Sequence, residues 1–445
     1  MNTLIENNKL LKKNKALVLG MGATGISIAK WLAENKRTAD FFDTRKKPPG
    51  LLIIKKLIPK AEIFCGEMPI CILDNVVEIL ISPGFEMNLT ILKDARRKNI
   101  PIRSDIDLFM NTCKGKVIGI TGSNGKSTVT SLVSNMLNVL GIKAVAGGNL
   151  GTPALDLLHK DAEVFVLELS SFHLERSKYL ELHAAALLNL SPDHLDRHTS
   201  FKNYEKAKQR IYKRCGTAVV NRNEVLPQPN QISFGTDIPD HNDWGLVELV
   251  NEEWIACGKK PVMPIKDLKL VGRHNLLNVL AAFAIASTLD LPLEGLIKAA
   301  RDFSGLPHRM NLVPSEDGIL WINDSKATNA AAALASIVST EGKLILIAGG
   351  DAKGADLGIL SQELSKRNVT IIAIGKDRQM FVDGFTRFCK VKIADDLEQA
   401  VNMASNIANS GDTVLLAPAC SSLDMFSSYA ERGQRFSHAI HRLQT

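Results

Sequence analysis

The residues best suited to chemistry lie in one short loop, within residues 117–130, VIGITGSNGKSTVT. An apolar strand is followed by two glycines, a lysine and several hydroxyl side chains, and then by a helical pattern. In such a loop the backbone N–H groups and the lysine bind nucleotide phosphates, and a Ser or Thr hydroxyl binds Mg²⁺. Ile120 stands where the G-x-x-x-x-G-K-S pattern has its first glycine, and a plain turn is the alternative. The spacing predicts an ATP site at Gly122, Ser123, Asn124, Gly125, Lys126, Ser127 and Thr128.

A second glycine loop follows the first candidate strand, in residues 16–25, ALVLGMGATG. Gly20, Gly22 and Gly25 have the G-x-G-x-x-G spacing, and Asp43 closes the next strand. Glycines let the backbone approach a diphosphate at a helix N-terminus, and the acid can accept hydrogen bonds from ribose hydroxyls. A turn without a ligand and a nicotinamide site are alternatives, and this motif alone does not choose between them.

Titratable side chains follow two further apolar strands. Glu168 ends the strand in VFVLELSS, where a carboxylate can hold the Mg²⁺ of a nucleotide. The loop NLSPDHLDRH, residues 189–198, is typical of a functional site because it combines so many charged and imidazole groups. By its helical context, NYEKAKQRIY, Lys208 resembles a solvated surface lysine. The titratable residues of the 189–198 loop are Asp193, His194, Asp196, Arg197 and His198.

These loops need a scaffold of parallel strands. Three stretches repeat a Val/Ile/Leu-rich run, a Gly or Asp turn and a helical pattern, which is typical of parallel sheets flanked by helices. We therefore predict an α/β protein of three domains with mostly parallel sheets, at 1–104, 105–305 and 306–445. The expected strands are KALVLG, TADFFDTR, AEIFCG, VEILISPG and a last one near IPIRSD; VIGITGS, KAVAGG, VFVLELS, AALLNLS and TAVVN; and LWIND, KLILIAGG, VTIIAIG, VKIAD and DTVLLAPA. A long helix is expected in HNLLNVLAAFAIASTL.

The composition excludes several classes of protein. In 445 residues, 45% hydrophobic and 23% charged side chains are globular values, without low-complexity tracts. The longest uncharged stretches, such as 127–142, fall short of the ~18 apolar residues of a membrane span. The net charge of +7 is spread along the chain and aromatic residues make up 5%, so we expect no nucleic-acid partner. A polyanionic small substrate accounts for the positive surplus.

The cysteines and the N-terminal residues indicate the compartment. Seven scattered cysteines, without a C-x-x-C pair, fit reduced thiols better than a disulfide framework or a zinc site. The opening residues, MNTLIENNKLLKKNKALVLG, contain no apolar core or cleavage site of a signal peptide. We therefore expect a soluble, cytoplasmic protein without membrane insertion. As a separate expectation, we take the protein to be a monomer.

Six motifs taken together resemble the muramyl ligases of bacterial wall synthesis. TGSNGKST, LELSSFHLE, NLSPDHLDRH, GLPHRM, NDSKATN and PACSSLDMF occur in the order of that family and cover essentially the whole chain. The resemblance implies an ATP-dependent ligase that forms an amide through an acyl phosphate and releases ADP and phosphate. It also implies Rossmann-like terminal domains around a central ATPase domain of the P-loop type. DTR at 43–45 and SSLDMF at 421–426 favour the branch that adds D-glutamate to UDP-N-acetylmuramoyl-L-alanine during peptidoglycan synthesis.

The resemblance implies roles for individual residues. The catalytic ones would be Lys126, His194 and Lys208. Two Mg²⁺ ions would be held by Ser127, Glu168, His194 and Lys208, the last as a carbamate formed with CO₂. The ATP site would also include Asn275, Asn278, Arg309, Asp324 and Lys326. The UDP-substrate would contact Gly22, Thr24, Asp43, Thr44, Arg45, Ser82, Pro83, Gly84, Asn149 and Ser170. D-Glutamate would contact Thr328, Lys353, Ser422, Leu423 and Tyr429, the last standing where related ligases have Phe.

Other interpretations make different predictions. Sister ligases that add L-alanine or a diamino acid, and folylpolyglutamate synthase, share the central domain but have other terminal motifs. A nicotinamide-dependent dehydrogenase would use the first glycine loop and leave TGSNGKST without a role. A nucleotide-gated interaction protein would bind ATP without turnover on any amino acid. For Asn275 and Asn278, ordinary capping of the following helix is the simpler role.

Overall fold

A computed structural model describes residues 15–69, 72–85, 90–224, 227–270 and 272–443. The opening residues up to 14 and Cys71 lie outside this range, and so does the side chain of Asp196. The chain divides into two compact units, one mainly of residues up to 245 and the other mainly of residues from 297 onward. The described strands form three sheets. One sheet falls within each predicted range, but the compact units number two, so the domain bounds stay a prediction.

The first sheet is parallel, with the order β3-β2-β1-β4-β5. Its strand order reverses between β1 and β4, so the loops that follow these two strands flank the switch point where ligands of open α/β sheets bind. All five predicted strands are confirmed: β1 Lys15–Leu19, β2 Ala39–Asp43, β3 Ile63–Cys65, β4 Val76–Ile81 and β5 Ile102–Ser104. The helices of this part are α1 Ala23–Glu34, α2 Leu51–Leu57, α3 Thr90–Arg97 and α4 Asp105–Thr112.

The middle sheet has a parallel core in the order β11-β10-β9-β6-β8-β7. The predicted strands here are β6 Lys116–Thr121, β7 Ala144–Gly148, β8 Val164–Glu168, β9 Leu182–Leu187 and β10 Cys215–Asn221. Four more strands were not predicted, namely β11 Gln231–Phe234, β12 Trp244–Leu249, β13 Glu252–Cys257 and β14 Lys260–Pro264. The helices are α5 Lys126–Val139, α6 Ser171–Arg176, α7 Leu195–His198, α8 Phe201–Gln209, α9 Arg273–Ala286, which is the predicted long helix, and α10 Leu293–Asp302.

The third sheet has the order β15-β16-β20-β17-β18-β19, and its edge strand β15 is antiparallel to β16. Its strands are β15 Asn311–Val313, which was not predicted, β16 Leu320–Asn323, β17 Leu344–Gly349, β18 Val369–Ile374, β19 Lys390–Ile393 and β20 Thr413–Leu416. The helices are α11 Ala330–Val338, α12 Ser361–Leu364, α13 Arg378–Phe385, α14 Leu397–Ile407 and α15 Tyr429–Leu443. Short 3₁₀ helices lie at Ala154–His159, Arg210–Tyr212, Ile265–Asp267, Ser287–Leu289 and Gly358–Leu360.

The hydrophobic cores explain the apolar runs of the sequence. One cluster extends from Ala16 to Val220 and includes residues of both the first and the middle sheet. The third sheet has a cluster on each face: Leu344 and Leu346 belong to one and Ile345 to the other. Because successive strand residues point to opposite faces, a sheet covered on both sides needs an unbroken apolar strand. No helix in the described part of the chain combines the length and apolarity that a membrane span requires.

Candidate functional site

The loop after β6 has the backbone of a phosphate-binding loop. It leads from Thr121 into α5, and Gly125, at the N-cap of this helix, has a φ of 80°. The first amides of a helix have no partner within the helix and therefore attract anions. The loop is braced by the 189–198 loop: the Asn124 N–H donates to Asn189 Oδ1 at 2.8 Å, and Asn189 Nδ2 donates to the Asn124 carbonyl at 3.1 Å. Two sequence motifs thus meet in one site.

Glu168, the last residue of β8, is held by hydrogen bonds from two side chains, one of them on the first turn of α5. The residue is 2% exposed. Oε2 accepts a hydrogen bond of 2.6 Å from Ser127 Oγ, and Oε1 accepts one of 2.7 Å from Asn149 Nδ2. A hydroxyl and a carboxylate in contact at the first turn of α5 are oxygen donors that fit Mg²⁺. The structure therefore places Asn149, predicted at the substrate, beside the predicted metal ligands.

Lys126 bends back over its own loop. Its Nζ donates to the carbonyls of Gly122 and Ser123, both at 2.7 Å. The ammonium group is thus held within the loop, where a phosphate would compete with these two carbonyls.

Lys208 is buried, which contradicts the interpretation of a solvated helix face. Its side chain is among the largest fully buried ones, and Nζ donates to the Gly122 carbonyl at 2.8 Å. Burial, and then the nearby charge of Lys126, hold the pKa of Lys208 well below the usual value of lysine. The neutral amine is favoured beside the phosphate-binding loop as a result.

Tyr204 is a site residue that the sequence interpretation missed. Its hydroxyl lies 2.9 Å from Ser123 Oγ, and its ring centroid lies 4.8 Å from Lys208 Nζ. Burial raises the pKa of Tyr204, so the phenol stays protonated. The available signal was its position four residues before Lys208 on α8, because residues at i and i+4 share a helix face.

The 189–198 loop presents His194 to solvent. His194 has a φ of 52°, and its imidazole lies edge-on to the Phe172 ring at 5.1 Å. His198 stacks on the same phenyl ring, with its ring centroid 5.3 Å from that of Phe172. Burial, with smaller effects from neighbouring cations, lowers the pKa of His198. The structure thus packs both imidazoles of this loop on one phenyl ring.

The predicted metal ligands form an incomplete set as they stand. Within the described residues, no three His, Cys, Asp or Glu side chains cluster in a way that could hold a metal ion. The predicted ligands supply one carboxylate, Glu168, together with the Ser127 hydroxyl and the His194 imidazole. Mg²⁺ prefers oxygen ligands, which neither the ammonium nor the amine form of lysine provides, so Lys208 would supply a ligand only as its carbamate.

The loops that flank the switch point of the first sheet contact each other. A Cβ on Gly20, where φ is 97°, would lie 2.1 Å from Ser82 Oγ, so only glycine fits. Asp43 Oδ2 accepts from the Met21 N–H at 2.7 Å and from Arg45 Nη2 at 2.7 Å. Burial alone would raise the pKa of Asp43, but the hydrogen bonds from Arg45 and Met21 outweigh burial and lower it. The Asp43 carboxylate is thus hydrogen-bonded within the protein, whereas the Arg45 side chain is 54% exposed.

The remaining predicted UDP-substrate residues lie at nearby element ends. Gly22 is the N-cap of α1, and Thr24 lies in its first turn. Ser170 is the N-cap of α6, and its Oγ lies 2.7 Å from His173 Nδ1. Thr44 follows β2, and Ser82, Pro83 and Gly84 follow β4.

Two arginines contact the loop after β4, Arg197 from the 189–198 loop and Arg176 from the end of α6. Arg197 donates to the carbonyls of Gly84 at 3.4 Å and Phe85 at 3.3 Å, and Arg176 also donates to the Phe85 carbonyl. Both guanidinium groups lie over the Phe172 ring, Arg197 at 5.0 Å and Arg176 at 5.9 Å from its centroid. Burial lowers the pKa of Arg176 to about 10. Sequence interpretation gave no role to Arg176, because this contact joins residues 91 positions apart.

In the second unit, Asp324 is the most perturbed predicted residue. It accepts a hydrogen bond from Ser336 Oγ. Burial raises the pKa of Asp324 to about 6, although the Ser336 hydrogen bond and the Arg309 charge oppose this. Lys326 Nζ lies 4.0 Å from the ring centroid of Tyr429.

The two predicted asparagines of this unit lie near the start of α9. Asn278 Nδ2 donates to Asn275 Oδ1 at 3.2 Å, and both side chains are buried. This mutual contact is within the helix and does not test a role in binding adenine.

The residues predicted to bind D-glutamate lie on loops at one edge of the third sheet. Strands β16, β20 and β17 are parallel neighbours, so the loops at their carboxyl ends are adjacent. Asp351 and Ser421 join two of these loops by paired backbone hydrogen bonds of 3.0 and 2.9 Å. The buried Arg432 donates to Ser325 Oγ at 3.0 Å and to the Cys420 carbonyl at 3.3 Å. The edge carries Thr328, Lys353, Ser422, the exposed Leu423 and Tyr429.

Three family models match the chain in succession: the Mur ligase MurD-like N-terminal domain at 14–104, the Mur ligase middle domain at 120–286 and the Mur ligase glutamate ligase domain at 308–420. The chain belongs to the Mur ligase family, and it is an ATP-dependent ligase. The resemblance inferred from the six sequence motifs is thereby confirmed.

Within this family, the similar curated proteins share one name. The chain is 39% identical over 434 residues to UDP-N-acetylmuramoylalanine–D-glutamate ligase of Pseudomonas savastanoi pv. phaseolicola, covering 95% of this chain and 97% of the relative. The enzyme of the same name from Nitrosococcus oceani is 40% identical, and the alignment covers 96% of both chains.

Among solved structures, UDP-N-acetylmuramate-alanine ligase MurC from Thermotoga maritima aligns with a TM-score of 0.62 at 19% identity, over 97% of this chain and 100% of the other. A pseudomurein peptide ligase type C from Methanothermus fervidus aligns at 0.61 with 18% identity, over 97% and 100%. These two structures support the fold alone.

Proposed function

We propose that this chain joins D-glutamate to UDP-N-acetylmuramoyl-L-alanine through an acyl-phosphate intermediate, converting ATP to ADP and phosphate, as a step of peptidoglycan precursor synthesis. The observation that carries the proposal is the 39% identity to ligases of that name along 95% of the chain. The phosphate-binding loop, with the Ser127–Glu168 contact below it, supports the use of ATP and Mg²⁺.

The reaction brings three anionic groups together, namely the substrate carboxylate, the triphosphate of ATP and D-glutamate. The substrate carboxylate attacks the γ-phosphorus, the bond to the bridging oxygen breaks, and ADP leaves. The neutral D-glutamate amine then attacks the acyl carbon, phosphate leaves with the former carboxylate oxygen, and the nitrogen gives up one proton, which the departing phosphate can accept. Lys126 would offset the charge on the phosphates, and the loop amides would orient them. Mg²⁺ held by Ser127 and Glu168 would stabilise the charge that develops on the phosphate oxygens.

Lys208 is proposed to carry a carbamate. Its neutral amine can attack CO₂, forming an N–C bond and releasing a proton, and the product offers two oxygens. Three features support this: the burial that favours the neutral amine, the nearby Lys126 charge that would stabilise the new anion, and the shortage of carboxylates among the predicted ligands. A second Mg²⁺ would be held by this carbamate and His194.

The other substrates are assigned by loop position. The UDP-substrate would bind at the switch point of the first sheet, where the Gly20 and Ser82 loops meet and Arg45 is exposed. D-Glutamate would bind at the edge of the third sheet formed by the loops of Thr328, Lys353 and Ser422. ATP would also contact Asn275, Asn278, Arg309, Asp324 and Lys326. We further propose that the protein acts as a monomer in the cytoplasm and is divided near residues 104 and 306.

Phosphate release tests the proposal directly. The enzyme is given Mg²⁺, ATP and UDP-N-acetylmuramoyl-L-alanine, and D-glutamate, L-glutamate, L-alanine and a diamino acid are supplied in turn. Only D-glutamate should stimulate phosphate release, and the product mass should equal that of the two substrates joined with loss of water. Equal turnover with L-alanine or the diamino acid would assign the chain to a sister ligase.

A further inference from the structure

The segment between β2 and β3 concentrates positive charge. Residues 44–61, TRKKPPGLLIIKKLIPKA, contain six Lys and Arg residues and no Asp or Glu, whereas the entire chain has a surplus of seven positive charges. The surplus is therefore locally dense, and the expectation that it is spread along the chain does not hold here.

Helix α2 mixes apolar and cationic side chains on its outer face. Ile54 is fully buried and fixes which side of α2 faces the protein, while Leu52 is 79% and Ile53 47% exposed. Residues three and four positions apart share a helix face, so Leu52 neighbours Lys55 and Lys56. We use the name α2 face for the exposed Leu52, Ile53, Lys55 and Lys56 of this helix together with the lysines that flank it in sequence, Lys46, Lys47 and Lys60.

The lysines of the α2 face are not neutralised by the protein. All five are exposed, and no ion pair among the described residues involves any of them. Other lysines of the same part of the chain are paired, for example Lys15 with Asp40 at 3.2 Å and Lys30 with Asp156 at 3.1 Å. A cluster of unpaired ammonium groups around exposed aliphatic side chains suits a partner that offers both anionic and apolar groups.

We propose that the α2 face docks on the surface of an anionic lipid bilayer. The ammonium groups would contact lipid phosphates, and Leu52 and Ile53 would enter the boundary between headgroups and acyl chains. Charge complementarity favours this partner. Single-stranded nucleic acid fits less well, because residues 44–61 contain no aromatic side chain on which a base could stack. The association is peripheral and reversible and does not depend on the proposed ligase activity.

Vesicle co-sedimentation of the full chain tests this proposal. The protein should bind vesicles of phosphatidylcholine mixed with phosphatidylglycerol and should not bind phosphatidylcholine alone. Binding should weaken at least tenfold between ~50 and ~500 mM NaCl, because salt screens exposed charges. The double variant Lys55→Glu, Lys56→Glu should bind at least ~10-fold more weakly, since each lysine near an anionic surface raises the binding affinity about fivefold.

Matched controls separate the α2 face from net charge. Lys259→Glu with Lys260→Glu changes the net charge equally at another exposed pair and should leave vesicle binding intact. Leu52→Ser should weaken binding severalfold, whereas Val250→Ser, at a position 88% exposed, should not. All four variants should keep full phosphate release in vesicle-free buffer. Failure of the docking proposal is therefore distinguishable from failure of the proposed ligase function.

Three results would overturn the proposal. Equal binding to neutral vesicles would remove the role of the lysines, and equal loss in the Lys259 and Lys260 control would reduce the effect to net charge. Binding of single-stranded DNA at least as tight as that of anionic vesicles, with the same dependence on Lys55 and Lys56, would assign the α2 face to nucleic acid.

Discussion

At the scale of single residues, Lys208 shows how burial changes the chemistry of a side chain. A solvated lysine is protonated and cannot attack CO₂, whereas desolvation beside Lys126 favours the reactive amine. We expect Lys208→Arg to lose at least ~100-fold in kcat, as Lys208→Ala does, because arginine keeps a cation but cannot form a carbamate. Phosphate release measures both variants. Acetate at millimolar concentration should restore part of the rate of Lys208→Ala.

The neighbouring Lys206 provides the control for this experiment. It lies on the same helix, α8, but is exposed, so Lys206→Arg should retain full activity. An active Lys208→Arg enzyme would exclude the carbamate and leave Lys208 a purely structural role.

Asp324 predicts a dependence of stability on pH. Its pKa is raised to about 6, above that of an unfolded aspartate, so folding binds the proton more tightly. Its contribution to stability is therefore most favourable below about pH 4, is lost as the pH rises towards 6, and is constant above that. Asp324→Asn removes the buried charge and should stabilise the protein by up to ~3 kcal/mol at pH 7.5. The gain should shrink at pH 5.

Melting temperatures of wild type and Asp324→Asn at the two pH values check this prediction. Asp383→Asn makes the same chemical change at an exposed carboxylate and should shift stability by less than ~0.5 kcal/mol. If the gain from Asp324→Asn were equal at both pH values, it would come from packing and not from titration. If Asp324→Asn were more stable but lost activity, the charged Asp324 side chain would be needed for function at the expense of folding stability.

At the scale of elements, two loops are joined by stacked guanidinium groups. Arg197 reaches the carbonyls of Gly84 and Phe85 while lying over Phe172, so it connects the loop after β4 to the loop that carries His194. Arg197→Lys keeps the charge but loses the planar contacts. We expect kcat/KM for the UDP-substrate to fall by about tenfold with an unchanged melting temperature.

Arg387→Lys is the matched control for Arg197→Lys. Arg387 also lies over a phenyl ring, 5.1 Å from the Phe388 centroid, but on an exposed surface. This variant should keep wild-type kinetics. An unaffected Arg197→Lys enzyme would show that the contact between the two loops does not position the substrate.

The elements also show what the sequence can and cannot reveal. Strands such as β17 are covered on both faces, so their unbroken apolar runs were visible without a structure. Strands β12 to β14 carry mixed polar residues, and β15 has three residues, so neither gave a recognisable pattern. In the candidate functional site, the sequence motifs predicted which loops carry the functional residues. The contact of Tyr204 with Ser123, 81 residues apart, depends on tertiary packing that no local pattern encodes.

At the scale of the molecule, the two phosphate-binding loops belong to different sheets. The Gly20 loop follows β1 of the first sheet, and the Lys126 loop follows β6 of the middle sheet. Both sheets contribute to one hydrophobic cluster, so the two loops are held by a common core. Both loops lie in one compact unit of the chain, which can hold the UDP-substrate and ATP at separate positions while the substrate carboxylate approaches the γ-phosphate.

Separate loops predict that the two binding functions can be removed one at a time. Lys126→Ala should abolish phosphate release, because the charge of the triphosphate is no longer offset, but should bind UDP-N-acetylmuramoyl-L-alanine with unchanged affinity. Arg45→Ala should weaken the UDP-substrate by about tenfold, as expected for loss of a charge-assisted contact, and leave ATP affinity unchanged. Each variant is the control for the other, and titration calorimetry with each ligand measures all four affinities. If Lys126→Ala also lost the UDP-substrate, the two loops would form one site, and the assignment of the diphosphate to the switch point of the first sheet would be wrong.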